Sequence, residues 1–254
     1  MTGAAVGLTP ARCALRGFVA QMRESGLSPF AIVGTALSPI AYGIVVIAGY
    51  GHPTGALLLG CVGAGIWGSL YQQGTVIVVQ ERNWGTLQSL AASPAPIAVP
   101  ILGRLLAAGC QALTAIPLIA LVVGALFGGI QQFHVALWLV ALGILALGTV
   151  GMALFLAGAL ARYRYSAGMV NGLFGTVLVL GGFFMPLSAL PAAVRVIGSL
   201  LPTALAVQAV RPAVAHPWLD LLGAAALSTG WITAGGWYLS RAQRRLRKTG
   251  SYRH

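Results

Sequence analysis

The chain has 254 residues, 58% of them hydrophobic and only 7% Asp, Glu, Lys or Arg, where a soluble domain carries about 25% charged residues. That composition, with a mean hydropathy of +0.88, excludes a soluble enzyme, a disordered protein and a disulfide scaffold, and leaves a polytopic helical membrane protein. The balance of 15 Lys+Arg against 3 Asp+Glu, net +12, does not make a nucleic-acid-binding protein either, because the arginines lie between long apolar runs and not on a cationic soluble face.

Residues 1–29 are expected to form a cytoplasmic N-terminal segment. Within it, residues 9–28 intersperse Arg12, Arg16 and Arg23 with Leu15, Phe18, Val19 and Met22. This suits an amphipathic helix lying along the inner membrane interface with its cations toward anionic lipid; a disordered basic tail is the alternative. These charges, with Glu24, leave no apolar stretch followed by a small-residue cleavage site, so no cleavable signal peptide is expected.

Six apolar segments follow within residues 30–240, at 30–50, 55–79, 105–127, 133–160, 167–186 and 219–240. Each has about 20 residues or more, enough to cross a hydrocarbon core of about 30 Å as a helix. Only the last holds an acid, Asp220, at its start. Backbone groups in lipid must pair internally, so an all-α six-span membrane fold is predicted. Gly60, Ala64 and Gly68 on the second span, and Gly168 and Gly172 on the fifth, have the small-residue spacing that lets helices approach closely. Polar residues within spans are few: Tyr71, Gln72 and Gln73, then Gln111 and Thr114, then Asn171. They suit either a substrate path or interhelical hydrogen bonds.

Two connections are not simple turns. Residues 80–104 join the second and third spans and contain Glu81, Arg82, Gly85, Thr86, Pro94, Pro96 and Pro100. Residues 187–218 are still apolar but are broken by Pro191, Pro202, Pro212 and Pro217. Short apolar helices between prolines read as a re-entrant or interfacial hairpin on the outer side, before the last span. Residues 241–254 form a basic tail that anchors the last span to the inner surface. With a cytoplasmic N-terminus, 13 of the 15 basic residues fall inside and only Arg195 and Arg211 outside. This positive-inside bias places both termini in the cytoplasm.

The chain has no GxxxxGK[ST] motif and therefore no P-loop of its own. It also offers no carboxylate near the middle of a span to hold a coupling ion. Paired carboxylates for acid–base or two-metal chemistry are missing as well. Uphill transport would need energy from a partner. Cys13, Cys61 and Cys110 have no metal-ligand spacing. His52, His134 and His216 fall on predicted outer loops, where a metal or pH role is open but has no acidic partners to support it.

The loop Glu81-Arg82-Asn83-Trp84-Gly85-Thr86-Leu87, followed by Ser93-Pro94 and by Leu102-Gly103-Arg104-Leu105-Leu106, resembles the permeases of ABC-2 type exporters. Those proteins carry a Glu-Arg-x-x-Gly-Thr-Leu stretch, a small-residue-Pro pair, and a Gly-Lys/Arg that opens the next span. A second landmark also fits: Phe183-Phe184-Met185-Pro186-Leu187, Leu190-Pro191, and Leu200-Leu201-Pro202-Thr203-Ala204-Leu205-Ala206. Asn83, Trp84 and Gln88 depart from the charged residues often found at those positions.

The resemblance covers nearly the whole chain. It implies a bacterial inner-membrane exporter subunit, two permease chains (identical or homologous) and two cytoplasmic ABC ATPase subunits that bind ATP and Mg. It implies no cofactor in this chain. It also implies that Glu81, Arg82, Gly85, Thr86, Leu87 and Leu90 form a cytoplasmic coupling helix that docks on the ATPase, although Glu81 and Arg82 also suit plain interfacial anchors. The expected cargo is a drug-like or lipid-like amphipathic molecule. The alternatives are an ion-coupled secondary carrier, a lipid-modifying membrane enzyme and a non-transporting membrane scaffold.

Overall fold

The computed structural model describes residues 9–25, 29–50, 54–83, 96–127, 134–162, 167–212 and 214–249. Among them the chain is mainly helical, with no strand. The helices are α1 (Pro10–Ser25), α2 (Pro29–Tyr50), α3 (Gly55–Asn83), α4 (Ala98–Leu113), α5 (Ile116–Phe127), α6 (Val135–Arg162), α7 (Ala167–Leu180), α8 (Ala192–Gly198), α9 (Pro202–Ala209) and α10 (Pro217–Thr249). A 3-10 turn at Leu187–Ala189 lies between α7 and α8.

Two stretches among the described residues are long and apolar enough to cross a membrane, Ala98–Val123 and Val135–Ala161. A third is possible if α8 and α9, bent by 95° at their break, count as one. Six spans were expected. Helix α2 is apolar along its 22 residues, α7 has only 14 residues, and α3 and α10 have the length but a thinner apolar content. The 29 residues of α3 reach about 43 Å at 1.5 Å per residue, but glycines, Tyr71 and paired glutamines dilute the run. The 33-residue α10 contains Asp220, several glycines and hydroxyl residues, and a basic end.

The first of these stretches is broken between α4 and α5. Pro117 has no N–H to give to the carbonyl of Leu113. Thr114 and Ala115 form a turn there, and the Thr114 hydroxyl donates to the Gln111 carbonyl at 2.6 Å.

Helix α3 is the centre of the fold. It packs on α2, α4 and α6, and residues 55–67 are all buried except the half-buried Leu57. Thr54 begins it by accepting the Leu57 N–H on its side-chain oxygen at 3.2 Å, the capping role that hydroxyl residues favour. Glycine sets how closely α3 is approached. A Cβ at Gly60 would strike the Phe183 carbonyl, and one at Gly63 would lie 2.7 Å from the Phe183 ring. Phe183 is 1% exposed as a result. Gly182, just before it, has φ +68°, the left-handed conformation that glycine adopts freely. Arg211 donates to the Gly182 carbonyl at 3.1 Å, which ties the turn after α7 to the end of α9.

The longest packed pair is α6 with α10. Their seam is glycine-lined. A Cβ at Gly151 would come within 2.9 Å of the Ile232 nitrogen, and one at Gly235 within 2.7 Å of the Phe155 nitrogen. Backbone therefore meets backbone, the arrangement that small residues allow between membrane helices. Ser228 spans the seam, donating to its own-helix Ala224 carbonyl at 2.7 Å and to the Ile144 carbonyl at 3.3 Å.

Candidate functional site

Helix α3 runs on through Glu81 and Arg82 to Asn83, so these residues belong to the end of a helix that crosses the fold. Their side chains, and Gly85, Thr86, Leu87, Gln88 and Leu90, lie outside the described residues. What the structure does describe is the stretch that follows residues 84–95, from Pro96 into the start of α4.

That start is held from two directions. On one side is α1. A Cβ at Gly17 would run into the Pro100 carbonyl, and a Cβ at Gly103 into the Ala14 carbonyl, so the two helices cross with backbones in contact. Glu24 and Arg104 form an ion pair at 3.4 Å, with side chains 49% and 16% exposed. At that exposure water screens the pair, and it contributes at most about 1 kcal/mol. The buried Gln21 of α1 donates its side-chain N–H to the Gln73 oxygen of α3 at 3.1 Å. The N-terminal helix is thus docked on α3 and α4, while its Arg12, Arg16 and Arg23 stay exposed.

On the other side is α10. The Gln243 side-chain oxygen accepts the backbone N–H of Ile97 at 3.0 Å, in a buried setting. Ile97 is the residue that caps α4 and has no side-chain cap bond of its own. The first N–H groups of any helix have no partner within the helix, so Gln243 satisfies a donor that would otherwise be buried and unpaired. No motif marks Gln243, which sits among arginines in what reads as a basic tail. The signal available was its type: an uncharged amide with hydrogen-bonding capacity on a helix packed against α4.

The polar residues expected along a substrate path are divided by the structure. Tyr71 is buried in an aromatic cluster, its ring centroid 5.2 Å from Trp67 and 5.3 Å from Phe174. The Trp67 indole also donates to the Phe174 carbonyl at 3.4 Å. Gln72 is exposed, and Gln73 is half-buried and committed to Gln21. Gln111 and Thr114 lie together at the break between α4 and α5. Asn171 is on α7, the helix that carries Phe174 to the cluster, but its side chain lies outside the described residues. Gly68 would place a Cβ 3.9 Å from Phe174, whereas Gly172 has nothing within 4 Å of its own. His134 and His216 are exposed just ahead of α6 and α10; His52 is outside the described residues.

Among the described residues, exposed basic side chains gather on two elements, with Arg195 on α8 apart from them. Arg12, Arg16 and Arg23 are exposed on α1, and Arg241, Arg244, Arg245 and Arg247 on the end of α10. Arg241 lies over the Trp237 ring at 5.4 Å, a cation–aromatic contact suited to the level of lipid headgroups.

No curated protein matches this chain. The family described as ABC-2 type transporter matches residues 12–214 of the 254. That match takes in α1, the connection between α3 and α4, and the paired short helices α8 and α9. The chain belongs to the ABC-2 type transporter family and is a membrane permease component of an ABC transporter, a kind of subunit that works with ABC ATPase partners.

Proposed function

We propose that the protein exports an amphipathic drug-like or lipid-like substrate from the cytoplasm or inner leaflet, using ATP hydrolysed by a separate ATPase. The chain crosses the bacterial inner membrane six times with both termini in the cytoplasm. Residues 1–29 form the interfacial segment, 30–240 the transmembrane domain and 241–254 the basic tail. Two permease chains and two ATPase subunits make the working unit, and ATP and Mg sit on the ATPase. Glu81, Arg82, Gly85, Thr86, Leu87 and Leu90 form the element that docks on the ATPase; the first two lie in the last turn of α3. Tyr71, Gln72, Gln73, Gln111, Thr114 and Asn171 border the path.

The observation that carries this reading is the placement of the three acids of the sequence. Glu24 is paired with Arg104 beside the start of α4, Glu81 is two residues from the end of α3, and Asp220 is in the first turn of α10. All three sit at helix ends. An ion-driven carrier needs ionisable groups near the membrane midplane, and a partner that burns ATP does not. The largely apolar interior of the fold supports an apolar or amphipathic cargo.

The test is transport into inside-out vesicles that hold the permease with its ATPase, probed with a lipophilic cationic dye and with a fluorescent phospholipid. ATP-dependent uptake that vanadate abolishes is the expected result. Uptake driven by an ion gradient in vesicles without the ATPase would establish a secondary carrier. Chemical conversion of the phospholipid would establish an enzyme. Normal efflux in cells lacking the gene would leave only a scaffold.

A further inference from the structure

The Gln243–Ile97 contact joins parts of the chain that are 146 residues apart, and membrane spanning alone does not call for it. Gln243 is 5% exposed on a helix whose neighbouring arginines 241, 244 and 245 are all exposed. One amide is thus turned inward from an otherwise outward-facing basic turn. Its target is the first backbone donor of α4, immediately after residues 84–95. Ala242, beside it, is also buried, and α10 packs on α4. From the opposite side, Gly17 and Ala14 of α1 press on Pro100 and Gly103.

We propose that Gln243 is a positioning residue for energy coupling: it latches the start of α4 to the last helix, so that a displacement delivered to the start of α4 moves α4 and α10 together. This rests on the reading of residues 81–90 as the ATPase-docking element. The reason is geometric. A helix whose first N–H is bonded to a neighbouring helix cannot shift at that end without breaking the bond or carrying the neighbour with it. A lost bond here would strand a buried donor, a cost that favours the neighbour moving with it. Because α10 is also packed along α6, motion at the start of α4 reaches the seam that runs the length of the fold.

The chemistry predicts how substitutions rank. Gln243→Met keeps the length and removes the acceptor. Gln243→Glu keeps an acceptor oxygen and adds a negative charge at a helix N-terminus, where the peptide dipoles favour it. Ile97→Pro removes the donor from the other side. Its backbone already has φ −59°, which proline accepts.

The experiment uses the full permease with its ATPase, in a background whose native cysteines are replaced. Spin labels are placed at the exposed positions Pro96 and Arg244, and their distance distribution is read by pulsed electron paramagnetic resonance with and without ATP and vanadate. In the otherwise native complex the distribution should be narrow and the same in both states. Gln243→Met and Ile97→Pro should broaden it several-fold and lower transport of the lipophilic dye per ATP hydrolysed, with the ATPase still bound. Gln243→Glu should restore both readouts. A distance that changes on ATP–vanadate trapping in the native background, a narrow distribution in Gln243→Met, or equal damage from Glu and Met would each overturn the latch. Should Gln243→Met not fold, Ile97→Pro carries the same decision. Failure of the docking reading is separately visible: Gly85→Pro and Glu81→Ala would then leave ATPase association and turnover unchanged.

Discussion

Gly60 and Gly172 are both glycines in apolar helices, yet they carry opposite consequences. A Cβ at Gly60 would meet the Phe183 carbonyl, whereas one at Gly172 would meet nothing within 4 Å. Gly60→Ala should therefore lower stability by about 1–3 kcal/mol through overpacking against backbone. Gly172→Ala should raise it by up to about 1 kcal/mol, since alanine is the better helix former. Thermal unfolding of the two variants in detergent checks the pair. Trp138 makes a second prediction at this scale. Its indole donates to the Gly55 carbonyl at 3.1 Å in a buried setting, so Trp138→Phe should cost about 1–3 kcal/mol by leaving that bond unmade. The aromatic-Pro-Leu landmark was legible as letters, but its cause was not. Phe183 is set by the open face at Gly60 and Gly63 and by the positive φ of Gly182, and none of these is visible from position 183 itself.

At the scale of elements, α2 was legible almost to the residue. A run of apolar residues between Pro29 and Tyr50 leaves little else to form, and Pro39 within it is accommodated because Gly65 of α3 gives its ring room. The third apolar segment, expected at 105–127, begins earlier, at Ala98. Pro100 and Arg104 read as loop residues, but a proline in the first helical turn lacks only an N–H that has no helical partner there. The expected segment 167–186 stops instead at Leu180, because Gly181 and Gly182 turn the chain before Pro186 is reached.

The docking of α1 was out of reach of local pattern. Its amphipathicity pointed to a surface but could not say that the surface includes other helices of the same chain. A contrast between two variants tests that docking. Arg104→Ala should cost at most about 1 kcal/mol, as half-exposed ion pairs do. Gly103→Leu should lever α1 away and make the half-buried Cys13 react faster with a maleimide, measured in a Cys110→Ser background.

For the whole molecule, composition and charge bias determined the class and left the packing open. The 13-to-2 division of basic residues makes a direct prediction. Alkaline phosphatase fused after Ser199 should be active outside the cytoplasm, and fused after Thr249 it should be inactive; the reverse pattern would invert the proposed topology. The Glu-Arg-x-x-Gly-Thr-Leu stretch was legible as a motif, while the contacts that hold the start of α4 were not. Gln21 and Gln73 are 52 residues apart, and Ile97 and Gln243 146 apart. Single amides at such separations leave no periodic trace in a sequence, since periodicity reports only which face of one helix is apolar.

The contact between Ile97 and Gln243 also sets an order of assembly. Ile97 leaves the ribosome long before Gln243 exists, and at about 5–20 residues per second the delay is roughly 7–30 seconds. Throughout that time the helices from α1 to α9 are made, but the first donor of α4 has no amide to receive it. Shape at the start of α4 is therefore completed only when the chain is nearly finished. A nascent chain that ends before residue 243 leaves the Ile97 N–H without this amide.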